Sequence, residues 1–120
     1  MKPAMLGIAG ARLSADERAL FLAHRPCGVI LFGRNIQDPS QLADLIAELR
    51  EALPQGAHIA VDQEGGRVAR LRPPHWQALP PAGSLCTPEE AFAHGRALGA
   101  MVKAAGFTMT AAPVLDLRVP

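Results

Sequence analysis

The chain has 120 residues, 49% hydrophobic and 19% charged, the balance of a globular domain with enough apolar side chains to bury a core, which excludes intrinsic disorder. Twelve Lys and Arg against eleven Asp and Glu leave a formal charge of +1, and the basic residues are scattered, so there is no footprint for nucleic acid or for an anionic membrane as a partner. No apolar run approaches the ~18 to 20 residues of a membrane helix, and Arg12, Asp16 and Glu17 arrive before any secretory apolar segment is complete, so a soluble, cytoplasmic protein is expected.

In chain order, residues 4–9 (AMLGIA) form a short apolar run closed by Gly10. Ser14 with Glu17 three residues on has the spacing of a capping box, which predicts a helix to about His24. Cys27 comes next; it and Cys86 are far apart and match no metal or redox spacing, so both are expected to be free, partly buried thiols. The uninterrupted run Gly28-Val-Ile-Leu-Phe32, closed by Gly33, suits a strand buried on both faces.

Asp38, Pro39 and Gln41 supply an N-cap, a proline for the first turn and a capping partner, and Leu42, Leu45, Ile46, Leu49 and Leu53 then fall at helical spacing. Pro54-Gln-Gly56 ends that helix, and His58–Val61 reads as a second buried strand with Asp62 at its carboxyl end. LRPPHWQALPPAGSL is too mixed for a linker and reads as an ordered loop. Thr87-Pro-Glu-Glu90 opens a helix to about Ala105, Gly106 closes it, and Phe107 to Leu115 is predicted as a strand ending at Asp116.

Continuous apolar strands alternating with helices call for a parallel α/β sheet with right-handed crossovers. An open doubly wound sheet and a TIM-like (β/α)8 barrel both satisfy the pattern. A complete barrel takes about 250 residues, and the sequence stops at Pro120, straight after a strand end and before any further helix. The chain is therefore expected to be a truncated piece of a longer protein, with residues 1–120 the N-terminal part of a single catalytic domain.

Both architectures place ligands beyond the carboxyl ends of the strands, where Asp62, Asp116 and the Gly33-Arg34-Asn35 segment lie. An acid at such a position is also an ordinary turn former or cap. Around Asp62, Gly65-Gly66 permits a tight loop, and Arg67 and Arg70 would share a side if Val68 began a helical turn. Arg supplies a fixed fork of donors and Asp an acceptor pair, a combination suited to a polyhydroxylated or anionic ligand, or to an internal salt bridge. Asp62 with Glu64 or Asp116 would also make a glycosidase pair if the carboxyls stood about 5 to 5.5 Å apart for retention, though Asp116 equally suits a structural role at its strand end. No nucleotide fingerprint accompanies the glycines. His24, His58, His75 and His94 lack metal spacing, and Trp76 fits a loop anchor better than a sugar platform.

GVILFGRN at 28–35, VDQEGGRVARL at 61–71, LPPAGSL at 79–85 and AAPVLDL at 111–117 resemble, in order and spacing, the N-terminal part of bacterial β-N-acetylhexosaminidases of glycoside hydrolase family 3. The resemblance covers nearly the whole chain from Leu6 to Leu117. It implies a TIM-like barrel and a retaining enzyme that removes terminal β-linked N-acetylglucosamine through a glycosyl-enzyme intermediate, with no cofactor and no metal. It implies that Asp62 and Arg70 bind the nonreducing-end sugar, while the family's nucleophilic Asp, acid/base His and sugar-binding Lys-His pair belong to segments downstream of Pro120. For cytoplasmic members it implies a small carbohydrate substrate, the N-acetylglucosamine-containing muropeptides of peptidoglycan turnover, and a monomeric full-length protein. The 120-residue chain alone is therefore expected to be inactive. A family 3 β-glucosidase and a non-catalytic sugar-binding module remain as alternatives, and the roles of Glu64, Arg67 and Asp116 stay open.

Overall fold

The computed structural model describes residues 1–117. Pro120, where the sequence is expected to break off from the rest of its barrel, lies outside the described residues. Strand β1 (Lys2–Leu6) leads to α1 (Ala15–His24), β2 (Pro26–Leu31), α2 (Pro39–Ala52), β3 (His58–Val61), α3 (Pro88–Ala104) and β4 (Met109–Thr110), with short 3-10 turns at Gly33–Asn35 and Ala82–Ser84. All strand pairs are parallel. The spatial order is β1-β2-β3-β4.

That order separates the two architectures the pattern allows. A doubly wound sheet reverses its strand order at a switch point; here each strand is added beside the last, and with right-handed crossovers the helices then fall on one face. The sheet is an arc of a (β/α) barrel.

The helix signals act as their spacing predicts. Ser14 and Thr87 both close capping boxes, with Glu17 and Glu90 as the reciprocal partners, and Asp38 caps α2 through the Gln41 N–H ahead of Pro39. Leu42, Leu45, Ile46 and Leu49 of α2 join Val29, Leu31, Ile59 and Val61 of the sheet, Phe21 of α1 and Leu98 and Val102 of α3 in one core. Gly106, at φ +93, lies just past the end of α3 and sits against Ile46, where a Cβ would come within 3.0 Å.

Three expectations change. Strand β2 is not buried on both faces: Val29 and Leu31 are fully covered, whereas Ile30 between them is partly exposed on the face away from the helices. Strand β4 covers two residues rather than the predicted stretch from Phe107 to Leu115. Thr108 and Thr110 turn their hydroxyls onto β3, taking the Ile59 and Gln63 backbone N–H groups at 2.9 and 3.2 Å, and Pro113 offers no N–H to prolong a ladder. Finally, Cys27 is partly buried as expected but Cys86 is exposed.

Candidate functional site

Asp62 leaves the sheet at the carboxyl end of β3 with its side chain 24% exposed. The residues after it form a small hairpin, not the helical turn considered for Val68. Glu64 and Gly65 donate their N–H groups to Val68 O at 2.8 and 3.2 Å, and Gly65 and Val68 form an antiparallel bridge. This geometry leaves Arg67 exposed at the tip, while Arg70 is partly buried and lies against Asp62.

The glycine pair proves to be a packing feature. Gly65 and Gly66 adopt φ +100 and +62, and added Cβ atoms would stand 2.3 Å from Pro80 O and 2.7 Å from Pro81 Cβ. The proline segment is held there by the Gly66 N–H on Leu79 O at 2.9 Å and by His94 of α3 against Pro80 O at 2.9 Å. Only glycine combines these angles with so close an approach.

Arg70 and Asp62 do meet, as the internal ion pair the sequence left open. Arg70 Nη2 lies 3.7 Å from Asp62 Oδ2, with the Arg70 side chain 27% exposed. The Arg70 Nε is buried and has no partner among the described residues. Arg70 also lines a cavity of about 330 Å³ with Gly33, Gln37, Arg72, His75 and Trp76. The pair is therefore an acceptor and a fork of donors held side by side without being locked together.

Gln63, which pattern reading passed over, is the residue that builds this arrangement. It is 1% exposed; its Oε1 accepts the N–H groups of Arg70 at 2.8 Å and Leu71 at 2.9 Å, and its Nε2 donates to Leu71 O at 3.1 Å. A polar residue between an apolar strand and a glycine turn is the signal that points to it, since a buried amide there must find backbone partners.

The other candidates resolve into separate places. Glu64 lines a different cavity, of about 460 Å³, with His94, Leu98, Thr110 and Ala112. Asp116 is exposed beyond the end of β4 and does not hold a strand end, because β4 stops at Thr110. In the 33–35 turn, Asn35 is fully buried and donates to Ile8 O and Gly10 O at 3.2 and 2.7 Å, tying the β1 loop to the β2 loop. Arg34 Nε reaches Ile8 O at 3.1 Å, and its guanidinium lies over the Phe32 ring. Trp76 is half-buried against the core and meets His75 edge-on, an anchor for the Pro-rich loop. Among the described residues no cluster of three or more His, Cys, Asp or Glu is placed to hold a metal ion, and no helix is long and apolar enough to cross a membrane.

The β1 loop is clamped from two sides. Glu48 of α2 takes both Arg12 and, at 3.0 Å, the Leu13 N–H, and these bonds hold its carboxyl below the usual range. Burial pushes the Glu17 carboxyl up, but bonds from the Ser14 and Ala9 N–H groups outweigh it and the net shift is downward.

Comparison with known proteins adds the family. The sequence pattern of the Glycosyl hydrolase family 3 N terminal domain matches residues 2–119. The chain belongs to glycoside hydrolase family 3. It is 41% identical to a Beta-hexosaminidase of Xanthomonas oryzae pv. oryzae over 94% of this chain and 36% of that protein, and 40% identical to a Beta-hexosaminidase of Xylella fastidiosa over the same shares. Among solved family 3 structures, NagZ from Neisseria gonorrhoeae in complex with N-trifluoroacetyl-D-glucosamine superposes with a TM-score of 0.82 at 36% identity, over 96% of this chain and 37% of that one. A family 3 beta-N-acetylglucosaminidase from a Paenibacillus species gives 0.83 at 33% identity, over 94% and 23%. The chain thus spans a little over a third of the length of the curated relatives it matches.

Proposed function

We propose that the protein carrying this chain removes terminal β-linked N-acetylglucosamine from 1,6-anhydromuropeptides by a retaining double displacement, as a step of cell-wall recycling in the cytoplasm. These residues contribute the grip on the nonreducing-end sugar. Asp62 accepts from the sugar hydroxyls and Arg70 donates to the sugar oxygens, each at the carboxyl end of β3 where a barrel collects its ligands. The nucleophilic carboxylate and the proton donor that such a reaction requires come from segments downstream of Pro120 in a monomeric barrel domain, of which residues 1–120 are the N-terminal part. No cofactor or metal enters this scheme.

The observation that carries the reading is the open Asp62–Arg70 pair, 3.7 Å apart, with the Arg70 Nε beside it buried and unpartnered among the described residues. At 3.7 Å neither group commits a hydrogen bond to the other, so both keep their bonding capacity for a ligand. The Beta-hexosaminidase relatives and the N-acylglucosamine complex of a similar structure support the choice of sugar.

The test is hydrolysis by the full-length protein. Release of a chromogenic aglycone from the N-acetyl-β-glucosaminide, with the β-glucoside far slower, is the expected result, together with liberation of N-acetylglucosamine from anhydromuropeptides with the β-anomer formed first. Faster cleavage of the glucoside would make the protein a β-glucosidase. Binding of N-acetylglucosamine without any turnover would leave a sugar-binding module. The isolated 120-residue chain is expected to be inert, and robust turnover by it would overturn the assignment of the reacting groups elsewhere. Sedimentation and cell fractionation of the full-length protein check the monomer and the compartment.

A further inference from the structure

The Asp62–Arg70 pair does not hold itself in place. A partly exposed ion pair at 3.7 Å contributes little orienting force in water, and the hairpin between the two residues has Arg67 exposed at its tip. The backbone that carries Arg70 is held instead from the interior, by the side chain of the residue next to Asp62. Gln63 Oε1 takes the Arg70 and Leu71 N–H groups at 2.8 and 2.9 Å, and Nε2 returns a bond to Leu71 O at 3.1 Å. Only this orientation of the amide satisfies two donors and one acceptor at once. Gln63 is itself fastened to β4: its N–H donates to Thr110 Oγ1 at 3.2 Å, and the Thr110 hydroxyl donates to Gln63 O at 3.3 Å. Leu71, the residue beside Arg70, is sunk in the core at 1% exposure.

We propose that Gln63 is a positioning residue: its buried amide sets Arg70 at the open distance from Asp62 and thereby fixes the affinity of the site for the nonreducing-end sugar. The inference rests on the sugar-binding reading of that pair. The amide acts on Arg70 through its backbone and does not touch ligand, so its removal shifts the fork relative to the carboxylate while leaving both charged groups present.

The test uses the full-length protein with Gln63→Met and Gln63→Glu, each also placed on an Arg70→Ala background. Gln63→Met deletes the amide while keeping its length, and is expected to raise KM for an N-acetylglucosaminide by about tenfold with kcat changed less than about twofold, since buried amide bonds to backbone are lost. On the Arg70→Ala background the same change is expected to add nothing, because its effect passes through Arg70. Equal costs on both backgrounds would make Gln63 a purely structural residue and overturn the proposal. If Gln63→Met does not fold, Gln63→Glu decides. Its ionised carboxylate opposes Leu71 O, whereas the protonated acid donates to that oxygen as the amide does. The affinity relative to wild type is therefore expected to recover as pH falls, and a flat ratio across pH would overturn the proposal. Should wild type neither bind nor cleave N-acetylglucosaminides, the sugar reading fails first. The Arg70 Nε–Hε NMR signal, identified by its loss in Arg70→Lys, then tests the positioning alone, being expected to move in Gln63→Met; an unmoved signal would overturn it.

Discussion

Arg70 Nη2 stands 3.7 Å from Asp62 Oδ2, while the Arg70 Nε is buried with no acceptor among the described residues. An unpartnered buried donor costs about 1 to 3 kcal/mol, a cost that an incoming acceptor oxygen would offset. The two side chains are about equally exposed, at 27% and 24%.

Asp62→Ala removes the acceptor and leaves Arg70 without its counter-charge. In the full-length protein KM is expected to rise tenfold or more, in line with a loss of about 1 to 3 kcal/mol when buried polar groups lose their partner. Steady-state kinetics on an N-acetylglucosaminide check this, and unchanged KM and kcat would remove Asp62 from the site.

Arg70→Lys keeps the charge and loses the fork. An ammonium is a point donor that cannot span two oxygens in one plane, so kcat/KM is expected to fall tenfold or more while thermal stability changes little. Wild-type kinetics in this variant would make Arg70 a structural or surface residue.

Gly65→Ala tests the packing role of the glycine pair. A Cβ there would lie 2.3 Å from Pro80 O at φ +100, and an immovable backbone clash with strained angles is expected to cost about 2 to 4 kcal/mol in urea unfolding. Gly33→Ala is the control, since nothing lies within 4 Å of its Cβ position; it is expected to stay within about 0.5 kcal/mol of wild type. Equal stabilities for the two variants would contradict the contact with Pro80.

Acid should loosen the β1 loop first. The Glu48 carboxyl is held down by the Arg12 side chain and then by the Leu13 N–H. For Glu17, burial acts upward but the bonds from Ser14 and Ala9 prevail and the net shift is down. Both folded pKa values lie below the unfolded ones, so their stabilisation is complete above the ordinary Glu range near about pH 4.3 and is lost as pH falls through the folded values. Hydrogen exchange at the Ala9 and Leu13 amides, corrected for intrinsic rates, is expected to lose protection below about pH 4. Glu48→Gln should blunt the pH dependence at Leu13 alone. Leu13 protection with the same pH dependence in wild type and Glu48→Gln would show that this carboxyl does not hold the loop.

The helices were legible because their signals are local. Ser14, Asp38 and Thr87 each bond an N–H three residues ahead, an arrangement that spacing alone reveals, and the leucines of α2 need only the helical period to share a face. Strand ends were harder. Nothing in FTMTAAPVLDL marks where pairing stops, because β4 is limited by what β3 presents beside it and by the threonine hydroxyls that replace ladder bonds.

At the site, the ingredients can be read along the chain: an apolar strand that delivers Asp62, a glycine turn, and an arginine beyond it, in a pattern specific enough to carry a family resemblance. Folding settles how they are used. It makes Gly65 and Gly66 a seat for Pro80 and Pro81, leaves Arg67 and Asp116 exposed, and enlists Gln63 to hold Arg70 beside Asp62. The reason is that caps and periodicity are short-range consequences of backbone geometry. Which polar groups end up buried together depends on contacts between β3, β4, α3 and the Pro-rich loop, segments that only folding brings into reach.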